Sequence, residues 1–134
     1  MEVADIEMRT TERYEFVSIT GEVKEAVRES GISEGICVVS STHTTAAVTI
    51  NEDYDPDVVR DLAAACRAFV GVLDVRFEHA EGNSDSHLLT SLFGQSQRLL
   101  IRDGELDLGR WQGVFLAEFD GPRSRTVRVA VYPA

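Results

Sequence analysis

From Trp111 to Tyr132 the chain reads WQGVFLAEFDGPRSRTVRVAVY. Trp111 to Asp120 and Arg125 to Tyr132 are long runs rich in aromatic and β-branched residues, which predicts two strands. Asp120-Gly121-Pro122-Arg123 supplies a tight turn between them. Successive side chains of a strand alternate between its two faces. Trp111, Gly113, Phe115, Ala117 and Phe119 therefore share one face and read as core. Gln112, Val114, Leu116 and Glu118 share the other. Apolar residues on both faces predict a strand buried on both sides, in a sandwich or at a subunit interface.

Working outward, Gln97 to Arg102 reads as a strand followed by an Asp103-Gly104 hairpin turn. Upstream, Asp55-Pro56 opens the clearest helix, with Asp at the N-cap and Pro at the first helical position. Val58, Val59, Leu62, Ala63, Cys66, Phe69 and Val70 follow at helical spacing, and Gly71 ends it. Thr20 is suited to cap a helix over residues 21–29, with Ser30-Gly31 as its stop. A short helix is expected from Ser86 to Phe93, ended by Gly94. Arg13 to Ile19, Gly35 to Ser41 and Thr45 to Asn51 read as strands, and Val72 to Glu78 as extended chain. Helices lie among strands without βαβ alternation. The expectation is one α+β domain over residues 1–134: mostly antiparallel sheets or a sandwich, packed with two to three helices.

The chain has 134 residues, enough for one core, and a formal net charge of -10. So acidic a surface repels nucleic acid and anionic membranes. No apolar run is long enough to cross a bilayer. No signal-like segment opens the sequence, so the expected location is the cytoplasm. Of the 13 basic residues only Lys24 is a lysine. That composition suits a protein bathed in concentrated salt, and equally one encoded by a GC-rich genome. Cys37 and Cys66 sit in apolar contexts and read as core, with no disulfide framework.

Only three histidines occur, each among small polar residues. Ser40-Ser41-Thr42-His43-Thr44-Thr45 holds the first, and His79-Ala80-Glu81-Gly82-Asn83-Ser84-Asp85-Ser86-His87 holds the others. His43 and His79 stand at the ends of extended segments. His87 falls in the first turn of a helix, where partial positive charge disfavours imidazolium. Neutral imidazoles are good metal ligands, and three with an open fourth position suit a catalytic zinc ion. Glu118 and Asp120, followed by Arg123, could hold an anion, steer a general base or form a salt bridge over the turn. Gln112 lies roughly 20 Å from Glu118 along the strand. It therefore belongs to the opposite end or to a neighbouring subunit's site. Walker, dinucleotide-binding, nucleophile-elbow, HExxH and CxxC patterns are all missing.

Several motifs occur together: His43-Thr44-Thr45-Ala46; Ile50-Asn51-Glu52 before the Asp-Pro helix; His79 and His87 with Asn83 between; residues 104–112; and Glu118 to Arg125. In this order they resemble the YjbQ family (UPF0047), also described as secondary thiamine-phosphate synthase enzymes. Where that family usually has Ser after His-Thr, this chain has Thr45, which keeps the hydroxyl. The resemblance implies a homotrimer and a pocket with a divalent metal bound by His43, His79 and His87. Zinc is the first expectation; magnesium suits a diphosphate substrate. It further implies Glu118, Asp120 and Arg123 in catalysis and Thr44, Thr45, Asn83 and Gln112 around a small-molecule substrate. The implied reaction joins a hydroxymethylpyrimidine diphosphate to a thiazole phosphate and releases pyrophosphate. The same residues would also suit a zinc hydrolase, or a trimer that binds a metabolite without turning it over.

Overall fold

The computed structural model describes residues 1–134. Its strands are β1 (Glu2–Arg9), β2 (Glu15–Ser18), β3 (Gly35–Ser41), β4 (Ala46–Glu52), β5 (Ser96–Arg102), β6 (Glu105–Leu106), β7 (Gln112–Glu118) and β8 (Ser124–Pro133). Its helices are α1 (Thr20–Ser30), α2 (Pro56–Gly71) and α3 (Ser84–Phe93). Two antiparallel sheets form, in the orders β1-β8-β3-β5-β6 and β2-β7-β4. This is the expected α+β sandwich.

The doubly apolar β7 explains the layering. Val114 and Leu116 enter a core shared by both sheets and α1, with Val23, Val39, Val127 and Val129. Phe115 and Ala117, with Phe119 just beyond, enter a second core with Tyr14, Phe16, Cys66 and Leu89. The layers are thus five-stranded sheet, three-stranded sheet, then α2 and α3. Phe119 is fully buried and meets Tyr14 and Phe16 edge-on. Truncating a buried phenylalanine to alanine costs about 3–5 kcal/mol.

Local signals act largely as read. The Asp55 side chain accepts from the Asp57 N–H and caps α2. Asp103 and Gly104 both take positive φ, which the two-residue β5–β6 turn requires. Gly31 ends α1 in the left-handed region. Both cysteines are buried and free, and burial pushes the Cys37 thiol up to about 11.

One strand was unexpected, and two readings need correction. The strand β1 was not foreseen; its inward Ala4, Ile6 and Met8 alternate with Val3, Asp5 and Glu7 along β8. Thr20 does not cap α1. Its hydroxyl donates to Asp53 instead and accepts from the Val114 N–H. Val72 to Glu78, read as extended chain, runs outside both sheets. Trp111 is not core: it is nearly half exposed and lies against Tyr54 and under Arg110.

Candidate functional site

The β7–β8 connection carries the chain from one sheet to the other. Glu118 ends β7, and Arg125 lies one residue into β8. They form a fully buried ion pair linking the two sheets. Arg125 donates from Nε and Nη2 to the two carboxylate oxygens. Thr10 donates to Glu118 Oε1 over 2.7 Å, and the Asp120 N–H donates to Oε2 over 2.9 Å. Burial raises the Glu118 pKa, but these donors outweigh it and hold the carboxyl below its ordinary value. Gly121 sits where a Cβ would meet the Glu12 carbonyl oxygen at 2.1 Å, so no larger residue fits this turn.

Above this pair opens a cleft of about 480 Å³ lined by eleven residues, none apolar. The loop after β3 contributes Thr42, His43, Thr44 and Thr45. His79 and Glu81 come from the segment before α3, Asn83 and His87 from the start of α3, Asp120 and Arg123 from the β7–β8 turn, and Arg125 from the start of β8. All three histidines therefore border one cavity, as do Thr44, Thr45, Asn83, Asp120 and Arg123.

Their roles are unequal. Asp120 Oδ2 accepts from Asn83 Nδ2 at 2.8 Å and from Arg123 Nη2 at 3.0 Å. Asn83 is the N-cap of α3, yet its side chain makes no cap bond, and its buried Oδ1 has no partner. Arg123 also donates Nε to the Asp120 carbonyl and keeps half its side chain exposed. Thr45 is buried and accepts from Arg125 over 2.8 Å, so its hydroxyl supports the floor, whereas Thr44 is exposed. Glu118 lies beneath the cavity, with no exposed surface.

The expected three-histidine metal centre is not assembled by these side chains. His79 and His87 meet edge to face with ring centroids 5.6 Å apart. His43 turns its Nε2 away to accept the Thr126 N–H over 2.9 Å. That lone pair is spent, and no three histidine, cysteine, aspartate or glutamate side chains are placed to share one ion. Burial, then the charge of Arg125, lowers the His43 pKa despite an opposing pull from Glu118. Gln112 is also excluded from this cleft. It lies exposed at the far end of β7, opposite Glu52, and accepts from the Gly109 N–H.

Sequence reasoning did not single out Arg125 or Thr10. A Glu-to-Arg spacing of seven residues across a turn could have flagged the first. Nothing marks Thr10, whose partners lie more than a hundred residues away.

Fold and site define a single-domain α+β protein with a polar cleft, sized for a small molecule, where its two sheets are tied together. Residues 4–134 match the UPF0047 protein YjbQ-like family model, and the chain belongs to that family. It is 44% identical over 125 residues to UPF0047 protein MJ1081 of Methanocaldococcus jannaschii, covering 93% of this chain and 90% of the relative. It is 43% identical over 124 residues to UPF0047 protein YugU of Bacillus subtilis, covering 90% and 92%. A crystal structure of an uncharacterized YjbQ/UPF0047 family protein from Clostridium acetobutylicum superposes with TM-score 0.92 at 44% identity, covering 96% of this chain and 99% of that one. The hypothetical protein APE1520 of Aeropyrum pernix K1 superposes with the same TM-score at 32% identity, covering both chains fully. No helix is long and apolar enough to cross a membrane.

Proposed function

We propose that the cleft is the active site of an enzyme acting on small phosphorylated substrates, with thiamine-phosphate synthase chemistry as its reaction. The observation that carries this reading is the wholly polar lining, with half-exposed Arg123 facing the start of α3. A helix N-terminus offers backbone N–H groups to an anion. Arg123 adds a guanidinium suited to phosphate oxygens.

In this reading the ring nitrogen of the thiazole phosphate forms a bond to the methylene carbon of the hydroxymethylpyrimidine diphosphate. The carbon–oxygen bond breaks, and pyrophosphate leaves with the electron pair. Arg123 and the α3 N-terminus stabilise the charge that grows on the leaving group. His87, half-buried in the first turn of α3, is available for proton exchange with the phosphate oxygens. Asp120 holds Arg123 in place, and Asn83 holds Asp120. A divalent cation, zinc or magnesium, would enter with the diphosphate; the chain presents no preformed three-histidine centre for it.

A homotrimer is part of the same proposal. On the outer face of the five-stranded sheet Ile36 lies opposite both Leu100 and Tyr132, and all three are more than 40% exposed. Val38 and Ala130 pair beside them, and Val3 pairs with Ala130. A contiguous apolar strip of this kind is suited to a subunit contact.

The test is pyrophosphate release from the two precursors by purified protein, with and without added zinc or magnesium. Phosphoesters and amides serve as hydrolysis controls. Release that depends on both precursors and is abolished in His87→Ala supports the proposal. Turnover of phosphoesters alone replaces it with a hydrolase, and no turnover of either overturns it.

A further inference from the structure

A second cavity, also about 480 Å³ and also without an apolar residue, adjoins the first. The two share His43, Thr44 and His87, which stand as a partition between them. The second lobe is otherwise walled by Thr90 and Ser91 of α3 and by Gly94 and Gln95 after it. The Ser41 N–H donates to the Gln95 carbonyl over 2.7 Å and fixes that wall to β3.

The lobes differ in charge. The first holds Arg123, Arg125, Asp120 and Glu81. The second holds no carboxylate, guanidinium or ammonium group, and both its histidines, His43 and His87, are shared with the first. Each lobe also has one buried polar atom without a partner: Asn83 Oδ1 in the first and Thr90 Oγ1 in the second. Asn83 is 5% exposed and Thr90 6%. A threonine inside a helix can satisfy its hydroxyl by bonding back to the carbonyl four residues earlier. Thr90 does not, although the Ser86 carbonyl stands at that position. A buried hydroxyl left unpaired costs stability. Such a group on a residue that lines a cavity is accounted for by a ligand that completes its hydrogen bond.

We infer that the cleft is bipartite, and that the Thr90 lobe takes an uncharged heterocycle bearing both hydrogen-bond donors and acceptors while the Arg123 lobe takes the phosphates. Hydroxyls, an amide and backbone groups, with no net charge, match a neutral amino-substituted ring. Bond making and breaking would then fall at the partition, between His43 and His87. The inference rests on the synthase reading for its choice of ring, an aminopyrimidine.

Calorimetric titration of the wild-type protein tests it with two probes: free hydroxymethyl aminopyrimidine, which carries no phosphate, and inorganic pyrophosphate. Both are expected to bind the same protein molecule together. Thr90→Val keeps the shape of the side chain and removes the hydroxyl. It should weaken the pyrimidine about tenfold, leave pyrophosphate within about twofold, and leave the melting temperature unchanged or slightly raised. Arg123→Met should do the reverse to the two ligands. Mutual exclusion of the probes, no pyrimidine binding, or unaltered pyrimidine affinity in Thr90→Val would each overturn the second lobe. Pyrimidine binding that Thr90→Val weakens, without pyrophosphate release in the synthase assay, keeps the lobe and removes the reaction. Turnover with an unaltered KM for the pyrimidine substrate in Thr90→Val keeps the reaction and removes the lobe.

Discussion

The backbone N–H of Thr126, in β8, donates to Nε2 of His43 over 2.9 Å. The hydrogen bond fixes the tautomer of a neutral imidazole: the proton sits on Nδ1. It also crosses from the first layer of the fold to the loop that rims both cavities. His43 is thus held as an oriented neutral ring.

Nitrogen-detected NMR titration is expected to show this directly. His43 should be neutral with its proton on Nδ1 at pH 6.5, because burial and the charge of Arg125 place its pKa below the usual value. A lowered folded-state pKa means that the unfolded chain binds the proton first as pH falls. The His43 contribution to stability is therefore complete above about 6.5 and is lost on acidification through the lower, folded value. A titration midpoint at or above 6.5 would contradict this placement.

Removing one partner of the Glu118–Arg125 pair should be severe. Glu118→Ala leaves a buried guanidinium and is expected to cost about 3–5 kcal/mol in denaturant melts. The double variant Glu118→Leu/Arg125→Met should recover much of that loss. Glu118 also predicts an acid limb. Its folded pKa lies below the ordinary 4.5, so its contribution is full above that value and fades as pH falls through the lowered one. Glu118→Gln should flatten that limb, and an unchanged limb would assign acid unfolding to other carboxylates.

Arg123 is half exposed, and its ion pair with Asp120 lies at the surface. Its loss should barely move the melting temperature. Under the proposed synthase reaction, Arg123→Met should instead raise KM for the diphosphate substrate by roughly 10- to 100-fold, the range for a hydrogen bond to a charged group. Steady-state kinetics decides this. A fall in kcat with KM unchanged would place Arg123 at the transition state alone.

The apolar strip on the five-stranded sheet makes a prediction about assembly. If the proposed homotrimer forms, the wild-type chain should sediment as a trimer and Leu100→Glu or Tyr132→Glu as a monomer still folded by circular dichroism. Retention of the trimer in both variants would move the contact elsewhere.

The net charge of -10 makes self-repulsion a cost at low ionic strength. Raising salt to about 1 M shortens the screening length to about 3 Å. Melting temperature is expected to rise with sodium chloride. A flat response would leave the lysine-poor composition to codon usage.

What was legible in the chain follows from how local each determinant is. The Asp55-Pro56 cap and the Asp103-Gly104 turn are set by neighbouring residues, so they were read correctly. The double burial of β7 followed from apolar residues on both faces. The strand β1 was missed because its outward face is largely charged, its inward face is weakly apolar, and its partner β8 lies at the other end of the chain. Glu118 read as chemistry because it lies two residues from Asp120 on a strand, with Arg123 just past the turn. Its partners Thr10 and Arg125 reach it only through tertiary structure. The three histidines border one cavity, but the hydrogen bond that occupies His43 runs to a backbone N–H in a strand remote in sequence.

The absence of any apolar side chain from either lobe has a consequence for selectivity. A greasy pocket rejects a near-isostere weakly, because one methylene changes little. A site that recognises only through directional polar contacts leaves its own buried groups stranded when an analogue lacks a matching atom, and discrimination of that kind reaches roughly 10⁴-fold or more. A family member with this lining should have a narrow substrate range, and close mimics that trade a hydroxyl or amine for a methyl should make poor inhibitors.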